Sequence, residues 1–246
     1  MSGHALVVGG THGLGRVVSE RFLARGCRVT VLARKVPADA ALAARVAHVA
    51  VDLETLRDGA APVAAAVAHA GPLNYLVFCQ RYRGQGDPWQ GELQVSLSAT
   101  DLLIRAAAAQ FAHDGDRAIA VVSSVYAEFV GGSQPASYHV AKAGLNQLVK
   151  FYAWRLGPQG VRVNAVMPLT YLKQESQDHY LKNTALMDLY RRFVPLGRIG
   201  SADDSANLID FLCSDKAAFI TGQATFVDGG VSIVWPEELA RGLTGI

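Results

Sequence analysis

The 246-residue sequence predicts a single doubly wound α/β domain over 1–246, with about seven parallel strands and helices on both faces. Three observations predict it. Short β-branched runs recur along the chain, alanine- and leucine-rich segments such as GRVVSERFLARG and ATDLLIRAAAAQFAHD separate them, and the runs are apolar almost throughout. Continuous apolar strands are buried on both faces, and parallel neighbours need crossover connections that carry helices onto those faces. Half the residues are hydrophobic and 18% are charged, so a sizeable core can form.

The first run, HALVV at 4–8, leads directly into VGGTHGLGRVVSERF, where Gly9, Gly13 and Gly15 precede an amphipathic helix. Between a first strand and a first helix, backbone amides and the helix dipole can hold a pyrophosphate. Thr11, His12 and Leu14 complete that turn. The alternative is a tight turn with no ligand. The second run, RVTVL at 28–32, ends on Ala33, Arg34 and Lys35 instead of the acid that usually contacts the ribose hydroxyls of NAD. Two cations there, helped by His12, suit a 2′-phosphate and favour NADP(H) over NAD(H).

The third run, AHVAV at 47–51, closes on Asp52 and Leu53, where the aspartate can accept from an adenine amino group or satisfy a local turn. YLVFC at 75–79 brings Cys79 to the end of the fourth strand, and AIAVV at 118–122 delivers Ser123 and Ser124. VRVNAV at 161–166 is followed by Pro168 and Thr170, and ATFV at 224–227 supplies the last strand. Only 168–200 breaks the alternation. Its polar composition, leaving the edge where ligands sit in an open α/β sheet, predicts a substrate lid.

The segment SYHVAK at 137–142 places Tyr138 and Lys142 four residues apart, on one face of a helix. A tyrosine near pKa 10 is a poor base at neutral pH, and lowering it by two to three units takes about 3 to 4 kcal/mol. A cation about 4 Å away supplies roughly 1 kcal/mol in water and about 4 in a sheltered cleft. Lys142 therefore suffices only if the site is covered.

Taken in order, the glycine loop at 9–15, Asp52, VVSS at 121–124, YxxxK at 138–142, VRVNAVMP at 161–168 and PLGRIGSADDSANLIDFLCSD…ITGQATFVDGG at 195–230 closely resemble the short-chain dehydrogenase/reductase family, over nearly the whole chain. The resemblance implies an NAD(P)(H)-dependent oxidoreductase in which Tyr138 exchanges a proton with a carbonyl or alcohol substrate. Lys142 would lower the tyrosine's pKa and bind the nicotinamide ribose, and a serine would orient the substrate oxygen. Ser124, fourteen residues before Tyr138, fits that role better than Ser123. Pro168 and Thr170 would lie on the cofactor side.

Three departures stand out. Val8 replaces the family's threonine before the first glycine, Phe78, Cys79, Gln80 and Arg81 replace Asn-Asn-Ala-Gly, and Ser96 replaces the asparagine that holds a relay water by resemblance. With serine there, the relay must be rebuilt through water or run more slowly. Two other readings follow: an NADP(H)-binding sensor or partner subunit with little turnover, and an isomerase or dehydratase that uses the Tyr-Lys pair without redox chemistry. Arg81 and Arg83, if they edge the cleft, would favour a substrate bearing a carboxylate or phosphate; a solvated loop is the plainer reading.

Composition bounds the rest. A net charge of +2 gives no field for nucleic acid, and no run approaches the roughly 18 apolar residues of a membrane span. Cys27, Cys79 and Cys213 lack the close pairing of a zinc site or a disulfide framework, and the histidines show no metal-ligand spacing. The expectation is a cytoplasmic protein with reduced thiols and no metal. The family resemblance adds a homotetramer or homodimer.

Overall fold

The computed structural model describes residues 3–172 and 181–244. The opening run forms β1 (His4–Val8), buried along its whole length. Its one polar residue is satisfied: the His4 ring nitrogens lie 2.7 Å from Gly71 O and 2.9 Å from Thr30 Oγ1. Next come α1 (Gly13–Ala24), β2 (Arg28–Ala33), the short α2 (Ala40–Ala43), β3 (Ala47–Ala50), α3 (Ala60–Ala70) and β4 (Tyr75–Phe78). A long helical rod follows: α4 (Pro88–Glu92), a π-helical stretch over Leu93–Ser98, and α5 (Ala99–Ala107). β5 (Ala118–Val122), α6 (Ala136–Leu156) and β6 (Arg162–Pro168) continue the alternation.

Beyond β6 lie β7 (Tyr171–Leu172), α7 (Thr184–Phe193), β8 (Gly200–Ser201), α8 (Ala202–Leu212), β9 (Ala224–Val227) and α9 (Pro236–Thr244). The main sheet has seven strands in the order β3-β2-β1-β4-β5-β6-β9, and every neighbouring pair is parallel. All seven runs read from the sequence are its strands.

Successive strand residues point to opposite faces. Leu6, Val8, Leu76, Phe78, Ile119 and Val121 therefore join one apolar cluster, with α3, α5 and α6. Ala5, Val7, Val77 and Ala120 join the other, with Phe22 of α1 and Ile209 of α8. The strand order reverses between β1 and β4, which opens a crevice beyond their carboxyl ends. The glycine loop meets the segment after β4 there, since a β-carbon on Gly9 would lie 2.9 Å from the Gln80 amide nitrogen, and Cys79 of that segment is within electrostatic range of Lys142 on α6.

The segment expected as a lid is only partly described, since 173–180 lie outside the described residues. A parallel pair that the sequence did not predict, β7 with β8, joins its two ends. Within it α7 has no buried residue, and Arg192 reaches across to the Gly242 carbonyl of α9 at 2.9 Å.

Candidate active site

The loop after β1 is built around three glycines for steric reasons. Gly9 and Gly13 have φ of +76° and +50°, in the left-handed region that a side chain disfavours. At Gly15 a β-carbon would lie 2.1 Å from the Gly9 carbonyl oxygen, so only glycine lets the first turn of α1 close against the loop. His12, the cap residue of α1, is extended and its side chain makes no capping bond; the first turn carries no acid. A helix start left this way presents amides and a positive dipole end to an anion. The loop and helix start thus form a cradle that a diphosphate fits.

Around that cradle, Thr11 Oγ1 and His12 Nδ1 are 2.8 Å apart, with the His12 side chain exposed, and Leu14 is buried. Arg34 and Lys35 are exposed at the end of β2, where Arg34 forms a loose 3.5 Å pair with Glu54. Asp52 accepts from the Glu54 amide at 3.0 Å, the local-turn alternative that its sequence allowed. The Leu53 carbonyl accepts from Gln94 at 3.0 Å. Pro168 is buried at the end of β6, whereas Thr170 is exposed.

The first turns of α6 carry the polar groups. Pro135, with φ −69°, precedes the first helical residue, and Tyr138 and Lys142 then share one face. Lys142 is only 3% exposed; its ammonium donates to the Val122 carbonyl at 2.9 Å and lies 5.5 Å from the Tyr138 ring centroid. Ser124 Oγ accepts from the Tyr126 amide at 3.2 Å, which leaves its proton to bond the Tyr138 phenol. Ser123 faces elsewhere and donates to the Lys142 carbonyl at 3.1 Å. Of the two candidate serines, then, Ser124 is the one beside the tyrosine.

The electrostatics differ from the expectation. Burial raises the Tyr138 phenol above its ordinary value, more than the Ser124 bond and the Arg81 charge lower it. Burial has pulled the lysine itself down to about 8, and its ammonium is held by a strand carbonyl.

The departures noted in the sequence meet at the same place. Arg81 lays its guanidinium 5.2 Å from the Tyr138 ring centroid and donates to Gln134 Oε1 at 2.6 Å. It edges the cleft. Gln80 turns inward to Thr100 Oγ1 at 2.8 Å, and burial pushes the Cys79 thiol up to about 12. Ser96 is fully buried and donates to Glu92 Oε2 at 3.0 Å.

Two residues escaped the sequence reading. Tyr171, pushed up to about 12 by burial, lies within electrostatic range of Tyr138, Arg81 and Arg83 and so faces the same cleft. Its position two residues after an irregular turn gave no periodic signal. Glu92 is 3% exposed and within electrostatic range of both Tyr138 and Lys142. Its spacing of four residues from Ser96, which puts both on one helix face, was a usable signal.

A family model described as enoyl-(acyl carrier protein) reductase matches residues 8–232. Among curated proteins, the chain is 33% identical over 255 residues to an L-rhamnose 1-dehydrogenase (NAD(P)(+)) of Azotobacter vinelandii, covering 93% of this chain and 96% of that protein. Among solved structures, the TT0495 protein of Thermus thermophilus superposes with a TM-score of 0.83 at 30% identity, covering 95% of this chain and all of that one. A ligand-free aldohexose dehydrogenase of Thermoplasma acidophilum gives 0.83 at 25% identity over 96% of each chain.

Proposed function

The chain belongs to the short-chain dehydrogenase/reductase family and is an NAD(P)-dependent oxidoreductase; from this premise we propose that it reduces a carbonyl compound, or oxidises the matching alcohol, with Tyr138 exchanging the proton and NADP(H) as the preferred cofactor. One observation carries the reading: the Ser124 hydroxyl and the Lys142 ammonium both lie against Tyr138, and Cys79, whose backbone abuts Gly9 of the cradle, is within electrostatic range of Lys142. The cofactor, when bound, supplies or takes the hydride.

This chain's residues do the remainder. The turn at Gly9, Gly13 and Gly15 receives the diphosphate, with Thr11, His12 and Leu14 around it; Asp52, Leu53, Cys79, Pro168 and Thr170 line the approach. Ser124 and Tyr138 hold one substrate oxygen between two hydroxyls. Because burial keeps the phenol protonated at neutral pH, the site stands ready to donate a proton, which suits reduction. Following nicotinamide absorbance with a carbonyl panel, wild type against Tyr138→Phe, tests the reading. Aldoses and their lactones head the panel, since two of the relatives are named for L-rhamnose and an aldohexose.

Arg34 and Lys35 carry the cofactor preference. Each charge-assisted hydrogen bond to a 2′-phosphate contributes about 1.5 to 3 kcal/mol. Replacing both with alanine is expected to weaken NADPH binding by about 100-fold or more and leave NADH binding nearly unchanged. Titration of cofactor fluorescence measures it, and equal losses for the two cofactors contradict the assignment.

Arg81 bears on the substrate. Its guanidinium, stacked over Tyr138 and, among the described residues, hydrogen-bonded to a neutral amide, suits an acidic group on the carbonyl compound. Arg81→Ala is expected to cut kcat/KM about tenfold more for carboxylate-bearing carbonyl compounds than for neutral ones. A uniform change across the panel rules this out.

Assembly follows from a different surface. A groove of about 720 Å³ between α5 and α6 is lined by Leu97, Leu102, Leu148 and Phe151, and Tyr138 is not among its lining residues. An apolar groove on two long helices suits a second copy of the chain, as a homodimer or homotetramer.

A further inference from the structure

Glu92 is a carboxylate without a role so far. It closes α4 with 3% exposure, and Ser96, itself fully buried, donates to its Oε2 at 3.0 Å. A neutral hydroxyl satisfies a lone pair but does not balance a buried negative charge, which ordinarily needs a cation nearby. The π-helical stretch starts at the next residue and contains Ser96. Such widened turns are kept mainly at functional sites.

The cation is on the adjoining helix. α4 and the π-helical stretch both pack against α6, and α6 carries Lys142, as buried as Glu92. The groups acting on Lys142 are Glu92, Arg81 and Cys79; those acting on Tyr138 are Ser124, Arg81, Glu92 and Tyr126, with Tyr171 of β7 also within electrostatic range of it. Cys79 and Tyr171 are pushed up to about 12 and stay neutral. Among these described groups Glu92 is the one carboxyl side chain, set against the side chains of Lys142 and Arg81.

We propose that Glu92, hydrogen-bonded by Ser96, is the counter-ion of Lys142 and keeps the lysine loaded as ammonium, ready to return a proton to Tyr138. Glu92 is a positioning residue in this scheme, acting through the lysine. When Tyr138 gives its phenol proton to a substrate oxygen, the phenolate takes one from the Lys142 ammonium, and the neutral amine refills from solvent. Burial lowers Lys142 and Glu92 raises it. Without the carboxylate, more of the lysine is already neutral at working pH. The proposal rests on the oxidoreductase reading for its purpose, but its test does not depend on turnover.

The test is the titration of the Lys142 side-chain nitrogen by ¹⁵N NMR, assigned with Lys142→Arg, in wild type and in the isosteric Glu92→Gln. The midpoint is expected to fall by about one pH unit or more in Glu92→Gln and to recover in Glu92→Asp. The alkaline limb of kcat/KM for carbonyl reduction moves down with it, and NADPH affinity holds. Superimposable lysine titrations overturn the proposal. Should Glu92→Gln not fold, the wild-type protein decides: the Glu92 carboxyl carbon must titrate as carboxylate from about pH 6 to 9, and a neutral carboxyl across that range overturns it. Unchanged turnover in Tyr138→Phe would instead overturn the reading beneath it.

Discussion

Replacing Tyr138 with phenylalanine is expected to lower kcat/KM for carbonyl reduction by about 10² to 10⁴, the usual worth of a positioned acid or base, while NADPH binding persists. Only a hydroxyl is removed. The ring keeps its edge contacts with Tyr126 at 6.3 Å and His139 at 6.4 Å, and the glycine cradle is untouched. The pH profile adds a sign. Since the phenol lies above its ordinary value, wild-type reduction should hold well into alkaline pH, whereas alcohol oxidation, which needs the phenolate, should climb over the same range. Steady-state rates in both directions, with cofactor fluorescence for binding, measure this. An unaltered rate in the phenylalanine variant removes Tyr138 from the chemistry.

The second large effect is expected at Gly15. A methyl group there would sit 2.1 Å from the Gly9 carbonyl oxygen and 3.0 Å from the Gly10 α-carbon, and both are backbone atoms that cannot swing aside. Gly15→Ala should therefore force the loop away from α1 at a cost of about 3 kcal/mol or more. For a chain of this size that is a fall of roughly 6 °C or more in Tm, and NADPH affinity should drop with it. Gly157→Ala is the control, because a β-carbon there meets nothing within 4 Å. Calorimetry of the two variants checks the contrast, and equal Tm values would mean that the cradle is not sterically fixed.

Fold was legible in this sequence because its signal is local. A strand buried on both faces, such as AIAVV or HALVV, is a continuous apolar run, and the helices between such runs impose the parallel arrangement. The cradle was legible for the same reason, since its glycines lie within seven residues, as was the choice of Ser124 beside Tyr138. The remainder depends on contacts between distant segments. The β7–β8 pair joins residues about 30 apart through two positions each, too short for any pattern. Arg81 reads as an ordinary loop cation until β4 and α6 bring it over the Tyr138 ring.

The charge balance was the least legible feature. Spacing alone puts Lys142 near Tyr138 and suggests that the lysine acidifies the phenol. Burial reverses that outcome, because it acts on both groups at once: it raises the phenol and lowers the amine. Glu92 went unread in the sequence; its spacing from Ser96 was a local signal, but its burial against the site comes from the packing of α4 on α6.

The most direct measurement is a crystal structure with NADPH and a substrate-sized carbonyl compound bound. The account predicts one ligand oxygen within about 3.2 Å of both Tyr138 Oη and Ser124 Oγ, with the diphosphate on the Gly9–Gly15 turn. A bound nucleotide with the tyrosine and lysine side chains pointing away from the ligand's reactive carbon would contradict it.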